Sequence, residues 1–485
     1  MAYVAYVTQI KNLRKHPNAD RLQLAECFGN TVVLGMDYKD NQIGIYFPVD
    51  GQLSEEFCKV NDLVRRKDEN GNPAGGYLDP DKRNIKALRL RGEKSDGLFL
   101  PLTCLANFTT ISDLKIGDTI DTLNGVEICR KYIPHSNKKS GGSFGSIGKR
   151  AKANFAPTFY EHIDTAQLAY NMDAFKAGDI VELTLKMHGT SGRTGYLPLV
   201  KHKQSWLDKL FKRPGKEFKE YGYVTGTRRV VLDENHDGGY YDDNNFRIEM
   251  AKKFEGKLHK GEVVYYEIVG FVNNTTPIMA SVKNSKISDK AFTKLYGPET
   301  VFSYGCDPNG DFEWHNLDDS GDVESGTMSL TEARKYGLAI APRCEVYVYR
   351  MTMVNEDGDV VEMSPDQMRY RCEQMGVNYV PVFERFIIPE FESEVAEDEA
   401  GYYVDNKAYP VDPGEYVLRK VEKYFDGPDP IGKTHIREGV VARIVNRPNI
   451  AVYKHKNFSF KVLEGIAKDE AVVPDMEEAQ DEVSV

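Results

Sequence analysis

Several stretches of this 485-residue chain carry residue types that can handle a phosphate. The first is Lys186-Met187-His188-Gly189-Thr190-Ser191. A lysine at the end of a strand, followed at once by a glycine turn, can attack an activated phosphate when burial or cationic neighbours disfavour its charged form. Gly189 lets the backbone approach a ligand closely. The second stretch is Tyr453-Lys454-His455-Lys456-Asn457, which puts two lysines on one face of a strand. Two parallel ammonium groups repel each other unless an anion sits between them, so the pair predicts a phosphate. The third is Thr225-Gly226-Thr227-Arg228-Arg229, a glycine turn that delivers two guanidinium forks, a shape matched to phosphate oxygens. Two carboxylates belong to the same set: Glu267, in the middle of the apolar run 263–271, and Glu438, at the start of another before Gly439. A buried carboxylate must meet a hydroxyl, a metal or a cation. Tyr347 and Tyr349 share one face of the run 346–351 and form an aromatic shelf, suited to core packing or to stacking on a base.

These side chains need elements to hold them. Ile180-Val181-Glu182-Leu183-Thr184-Leu185 alternates in hydropathy and predicts a strand ending at the lysine. Ser364-Pro365-Asp366-Gln367 predicts a helix start: Ser364 caps, Pro365 opens the first turn, Gln367 completes a capping box, and Gly376 ends the helix. No chemistry is expected of it. Residues 1–130 read as all-β, with short apolar runs such as Thr31–Leu34 and Ile43–Phe47 spaced as in a small barrel. Residues 131–152, with Lys138-Lys139-Ser140-Gly141-Gly142-Ser143, predict a flexible basic linker. A second domain is expected over 153–467, followed by an acidic, disordered tail at 468–485. Within the second domain, seven Lys and Arg lie between Lys201 and Lys219, interleaved with Trp206, Phe211 and Phe218. Such a stretch can grip a nucleic-acid backbone and stack on bases, or it can be an amphipathic surface insertion.

The length predicts more than one domain, and 41% hydrophobic with 28% charged residues describes a globular chain. No apolar run reaches a membrane span, and the N-terminus does not read as a signal peptide. Seven scattered cysteines with no Cys-x-x-Cys pair point to a reducing cytoplasm and no zinc site. The net charge of -11 is concentrated: residues 390–399 carry six acids, and 468–485 carry seven acids and one lysine. Removing those two contributions of -6 each leaves about +1, so a phosphate-binding face elsewhere is compatible with the acidic total.

The ordered set Lys186-x-His188-Gly189, Arg228/Arg229, Glu267, Tyr347/Tyr349, Glu438-Gly439 and Lys454-x-Lys456 resembles the covalent nucleotidyltransferases, ligases and capping enzymes. Lys-x-His-Gly-Thr-Ser with a late Lys-x-Lys-Asn is similar to the nick-sealing RNA ligases, and an OB-type module ahead of the transferase domain resembles a bacterial and phage subgroup of RNA ligases. His16-Pro17-Asn18-Ala19-Asp20-Arg21-Leu22 resembles a segment of tRNA-binding OB-type modules, although His16 and Asp20 equally suit a turn. Pro48-Val49-Asp50 with Leu53–Phe57, and Arg89-Leu90-Arg91-Gly92 with Ser95 and Gly97, fit the same comparison. The resemblance implies an α+β chain: an N-terminal OB-like β-barrel, then an adenylyltransferase domain of antiparallel sheets with flanking helices.

It also implies a reaction and roles. Lys186 would take AMP from ATP, pass it to a 5′-phosphate end, and let a 3′-hydroxyl displace it, sealing RNA or an RNA-containing duplex as in RNA repair. The cofactors implied are ATP and Mg²⁺ or Mn²⁺. Lys454 and Lys456 would hold the α-phosphate, Glu438 would bind metal or orient Lys186, and Glu267 would bind the ribose. One of Tyr347 and Tyr349 would stack on adenine; His188 and Gly189 would line the nucleotide site. Arg228 would meet a phosphate or 5′ end, and Ser191 and Arg229 would touch RNA. No membrane and no obligate protein partner is expected. Two departures stand out. Leu185 precedes the lysine where relatives often have a polar residue, which bears on ATP against GTP, and Ser191 stands where some have asparagine. The rival readings are a GTP-using capping enzyme, whose OB module normally follows the transferase domain, and a non-catalytic RNA- or tRNA-binding protein.

Overall fold

The structure is a computed structural model that describes residues 3–133, 156–203, 215–228, 231–232, 246–271, 277–302, 304, 311–317, 323–329, 344–397 and 403–470. Most of the expected linker, the middle of the 201–219 stretch, Arg229, Asp398, Glu399 and most of the acidic tail lie outside these residues. The chain divides into two compact units. The first joins Met1–Lys139 to Val282–Glu299 and Asn457–Pro474; the second takes Ser140–Ser281, Thr300–Lys456 and Asp475–Val485.

In the first unit, strands Leu98–Pro101, Ile43–Phe47, Ala5–Gln9 and Thr119–Ile120 form an antiparallel sheet in that order. Ala5, Val7, Ile45 and Phe47 alternate into a core shared with Leu53, Phe57 and Leu105. Lys11–Lys15, Gln23–Cys27 and Asn30–Leu34 form a separate three-stranded sheet. Among the described residues no sheet closes into a barrel. Nor is the unit all-β: Ser54 accepts from the Phe57 amide and caps a short helix, Glu55–Val60. His16 is buried, with Nδ1 accepting from the Asn18 amide at 3.0 Å and Nε2 3.1 Å from the Leu90 carbonyl. It is a turn residue, with both ring nitrogens committed. The late helix Phe458–Glu470 belongs here through Lys461, which pairs with Asp96 at 2.6 Å, and Phe458, which lies under Arg89 and Lys94.

The second unit holds two large sheets and two-stranded hairpins, and the strands that carry the site are labelled within it. They are β1 (Ile180–Lys186), β2 (Thr190–Lys203), β3 (Lys216–Gly226), β4 (Glu262–Gly270) and β5 (Cys344–Val354). Helix α1 (Pro365–Met375) is followed by β6 (Val382–Ile387), β7 (Gly439–Ile444) and β8 (Ala451–Lys456). One sheet runs Ala166–Gln167, β8, β7, β1, β6; the other runs Val231–Leu232, β3, β2, β4, β5, Val360–Glu362. Helix α1 forms as its sequence predicts. Ser364 and Gln367 make the reciprocal capping box, and Gly376 ends the helix at φ 65°, a left-handed conformation glycine adopts without a Cβ clash. Met368, Cys372 and Met375 of α1 pack on Val264, Ile268, Val346 and Val348 of the second sheet. Val417, Leu418 and Val421 of the helix Pro413–Glu422 back the first sheet. Among the described residues no helix is long and apolar enough to cross a membrane.

Candidate active site

Lys186 ends β1, and alternation decides which way it faces. Val181, Leu183 and Leu185 are buried in the core behind the sheet, so Glu182, Thr184 and Lys186 lie on the opposite face. In the ladder Lys186 stands opposite Gly439 of β7, and Gly439 opposite Lys456 of β8. The residue between the two lysines therefore has no side chain. A Cβ on Gly439 would sit 2.1 Å from the His455 carbonyl oxygen, and its φ is 156°. Glu438, next to it, brings one carboxylate to both ammoniums: Oε1 lies 2.7 Å from Lys186 Nζ and 3.2 Å from Lys456 Nζ. His188 Nδ1 is 3.7 Å from Oε2.

Glu438 is 2% exposed. Burial alone would raise its carboxyl, but the Lys186 and Lys456 ammoniums and the His188 ring hold it well below the usual carboxylate range. Lys454 lies on the same face of β8 as Lys456. Burial, with the charges of Lys456 and Lys186, pushes its ammonium down to about 7. The anion that the paired lysines predict is thus supplied, for Lys456, by the protein itself. Lys454, its charged form disfavoured, is left facing a site already rich in positive charge. Apart from the longer approach of His188 Nδ1 at 3.7 Å, the Glu438 Oε2 atom has no hydrogen-bond partner among the described residues. A buried, ionised oxygen with that freedom suits a hard divalent cation such as Mg²⁺ or Mn²⁺.

The second sheet contributes a row. Ser191, Glu267 and Tyr347 stand opposite one another across β2, β4 and β5, so their side chains rise from one face. Glu267 Oε1 accepts the Gly189 amide at 3.1 Å, which ties this row to the turn after the lysine. A Cβ on Gly189 would lie 2.3 Å from the Ile268 carbonyl oxygen, so the turn passes too close to β4 for any side chain. Tyr349, two residues along β5, falls at a bulge beside Tyr265 and Tyr266 and has no ladder partner on β4. Tyr349 instead packs against the His162 ring, 5.1 Å away, and the core around Phe159. Of the two shelf tyrosines, Tyr347 is the one beside Glu267. Arg228 pairs with Asp164, and its Nε is buried with no hydrogen-bond partner among the described residues. Its charge helps to lower Lys454.

Several residues of this neighbourhood carry no signal in the sequence. The His188 amide donates to the Tyr304 hydroxyl at 3.2 Å, and the Phe302 ring meets His188 edge-on at 4.5 Å. Both rings also pack on His435. His435 Nδ1 sits 3.1 Å from the Ile436 carbonyl, an acceptor, so that nitrogen carries the proton. Burial lowers His435 to about 4. Asp429 Oδ1 accepts the Ile431 and Gly432 amides at 2.8 and 2.9 Å, and burial raises its carboxyl to about 6. These groups fix the loop that ends in Glu438. Gly427-Pro428-Asp429-Pro430 reads only as a turn, and Tyr304 is distant in sequence from everything it touches.

No protein-family model and no curated protein sequence matches the chain. Solved structures do. A glutamate-to-alanine variant of Naegleria gruberi RNA ligase with AMP and Mn aligns over 96% of this chain and 99% of that one, at 14% identity and a TM-score of 0.50. A lysine-to-methionine variant of the same ligase with AMP and Mn aligns over 94% and 97%, at 15% identity and a TM-score of 0.50. At this identity the likeness concerns the backbone alone: the chain has the fold of these RNA ligases.

Proposed function

We propose that the chain is an ATP-dependent RNA ligase acting through a lysyl-AMP intermediate on Lys186. One observation carries the reading: the Lys186 and Lys456 ammoniums converge on buried, ionised Glu438, with Lys454 on the same face of β8 as Lys456. The shared fold with ligases described with AMP and Mn supports it. Lys186, once it has lost its proton, attacks the α-phosphate of ATP. A P–N bond forms, the bond to the β-phosphate breaks, and pyrophosphate leaves. Lys454 and Lys456 neutralise the charge that develops on the α-phosphoryl oxygens. Glu438 holds Lys186 at the end of β1 and would carry Mg²⁺ or Mn²⁺, which when bound adds further neutralisation of the phosphates. Glu267, fixed by the Gly189 amide, meets the ribose, and Tyr347 in the same row stacks on adenine. His188 lines the nucleotide site, and Arg228 receives a phosphate with the guanidinium nitrogen left over from its pairing with Asp164. AMP then passes to a 5′-phosphate end, and a 3′-hydroxyl displaces it.

The first unit, read as an OB-type module, and Ser191 and Arg229 are assigned to the RNA. A nick in an RNA-containing duplex, repaired in the cytoplasm, is the substrate this reading favours. The test is to incubate the full chain with nicked RNA duplex, a divalent cation and either ATP or GTP. The reading expects sealing with ATP; sealing with GTP alone, or none with either, contradicts it.

A further inference from the structure

Strand β2 outruns its sheet. Its pairing with β4 ends at Gly195, opposite Val263, whereas its pairing with β3 continues to Lys203, opposite Lys216. From Tyr196 to Lys203 the two strands therefore form a ribbon of their own, and its outer end, Lys201–Lys203 with Lys216–Glu220, is exposed on both faces. Register sorts the side chains. Lys201 opposes Phe218 and Lys203 opposes Lys216, so three lysines and a 41% exposed phenylalanine share one face. His202, Glu217 and Lys219 take the other. Glu220, on the lysine face, is engaged by Lys201 at 2.6 Å. Lys203 and Lys216 form no ion pair among the described residues, and like charges directly opposite in a ladder oppose pairing. A phosphate backbone laid along this face would relieve that repulsion, and Phe218 offers a base or ribose a flat apolar surface.

Resting on the ligase reading above, we propose that the β2–β3 ribbon is an arm that grips the RNA backbone away from the ends being joined. Both strands are rooted at the site: β2 begins four residues after Lys186, and β3 ends two residues before Arg228. From Thr190 to Lys203 an extended strand reaches at most about 45 Å. Contacts made there fall on flanking RNA and leave nucleotide transfer to Lys186 untouched.

The test compares the full-length chain with the triple variant Lys201→Gln, Lys203→Gln, Lys216→Gln and with Phe218→Ala, all at exposed positions. Lysyl-AMP formation from ATP and binding of a labelled nicked RNA duplex are measured at several salt concentrations. The triple variant is expected to adenylylate like wild type and to bind RNA about tenfold more weakly. Its plot of log affinity against log salt should be shallower by about 3, the release of counterions from three phosphates of a duplex. Phe218→Ala is expected to weaken binding severalfold with the slope unchanged. Equal affinity and slope in wild type and triple variant overturn the arm, as does a wild-type chain that does not bind RNA. A wild type that binds RNA but forms no lysyl-AMP contradicts the ligase reading instead, and the binding comparison still decides the arm.

Discussion

Arg369 of α1 lays its guanidinium fork on both oxygens of Glu182, at 2.9 and 3.0 Å, four residues before Lys186 on the same strand. Arg385 of β6 reaches the same carboxylate at 2.9 Å. Two residues along the helix, Arg371 forks onto Glu262 of β4, at 2.7 and 2.8 Å. Helix α1 thus ties the strand that ends in Lys186 to the strand that carries Glu267. Glu182 and Glu262 are 3% and 2% exposed, so their charges cannot fall back on water. Arg369→Ala should lower stability by about 1–3 kcal/mol, the cost of under-satisfying a buried charge, with Arg385 limiting the loss. Urea unfolding checks this; a change within a few tenths of a kcal/mol would mean that the pairing is a surface ornament.

Gly439 separates two lysines that share one carboxylate. Gly439→Ala places a methyl group 2.1 Å from the His455 carbonyl oxygen, so β7 and β8 must part. A loss of about 1–3 kcal/mol and of lysyl-AMP formation is expected. Gly465, in the helix Phe458–Glu470, has nothing within 4 Å of its would-be Cβ. Gly465→Ala is therefore the contrasting case, expected to raise stability by about 0.5–1 kcal/mol. Thermal unfolding of the two variants should move in opposite directions.

The pH dependence of Asp429 has a defined sign. Burial raises its carboxyl from the ordinary aspartate value to about 6, so between pH ~4 and 6 the native state keeps a proton that the unfolded chain has released. Its contribution to stability is complete below that window and is lost as pH rises through it. Asp429→Asn removes the titration. The stability difference between wild type and variant should shift against wild type by roughly 2 kcal/mol from pH 4 to 6. A difference that stays flat across the window would contradict the assignment.

Lys454 and Lys456 are assigned to the α-phosphate. Charge-assisted contacts at a reacting centre are worth roughly 2–4 kcal/mol, so each alanine variant should adenylylate about 10²–10³ more slowly. Single-turnover rates at saturating ATP measure this directly. Wild-type rates in both variants would remove the lysines from the reaction.

Much of this site was legible because strand alternation is local. Val181, Leu183 and Leu185 determine that Lys186 faces away from the core, and the two-residue spacing of Lys454 and Lys456 puts them on one face. The capping box of α1 is equally local. What lay beyond the sequence was pairing. Nothing near Glu438 announces that its carboxylate would serve Lys186 and Lys456, because that depends on the β1–β7–β8 register and on Gly439 between them. The bulge at Tyr349 is a property of the β4–β5 ladder. Helix α1 looked empty of purpose because Glu182 and Glu262, its partners, are 187 and 109 residues away from the arginines that find them. The attachment of Phe458–Glu470 to the N-terminal unit rests on long-range contacts, Lys461 with Asp96 and Phe458 with Arg89 and Lys94, which no periodicity reports.

The central claim is that Lys186 becomes covalently joined to AMP. Full-length protein incubated with ATP and Mg²⁺, then denatured and digested, should yield one peptide carrying the mass of an AMP residue. Tandem mass spectrometry should place it on Lys186, and Lys186→Ala should carry none while still unfolding in one cooperative transition. An adduct on another residue, or undiminished labelling of the Lys186→Ala protein, would contradict the account.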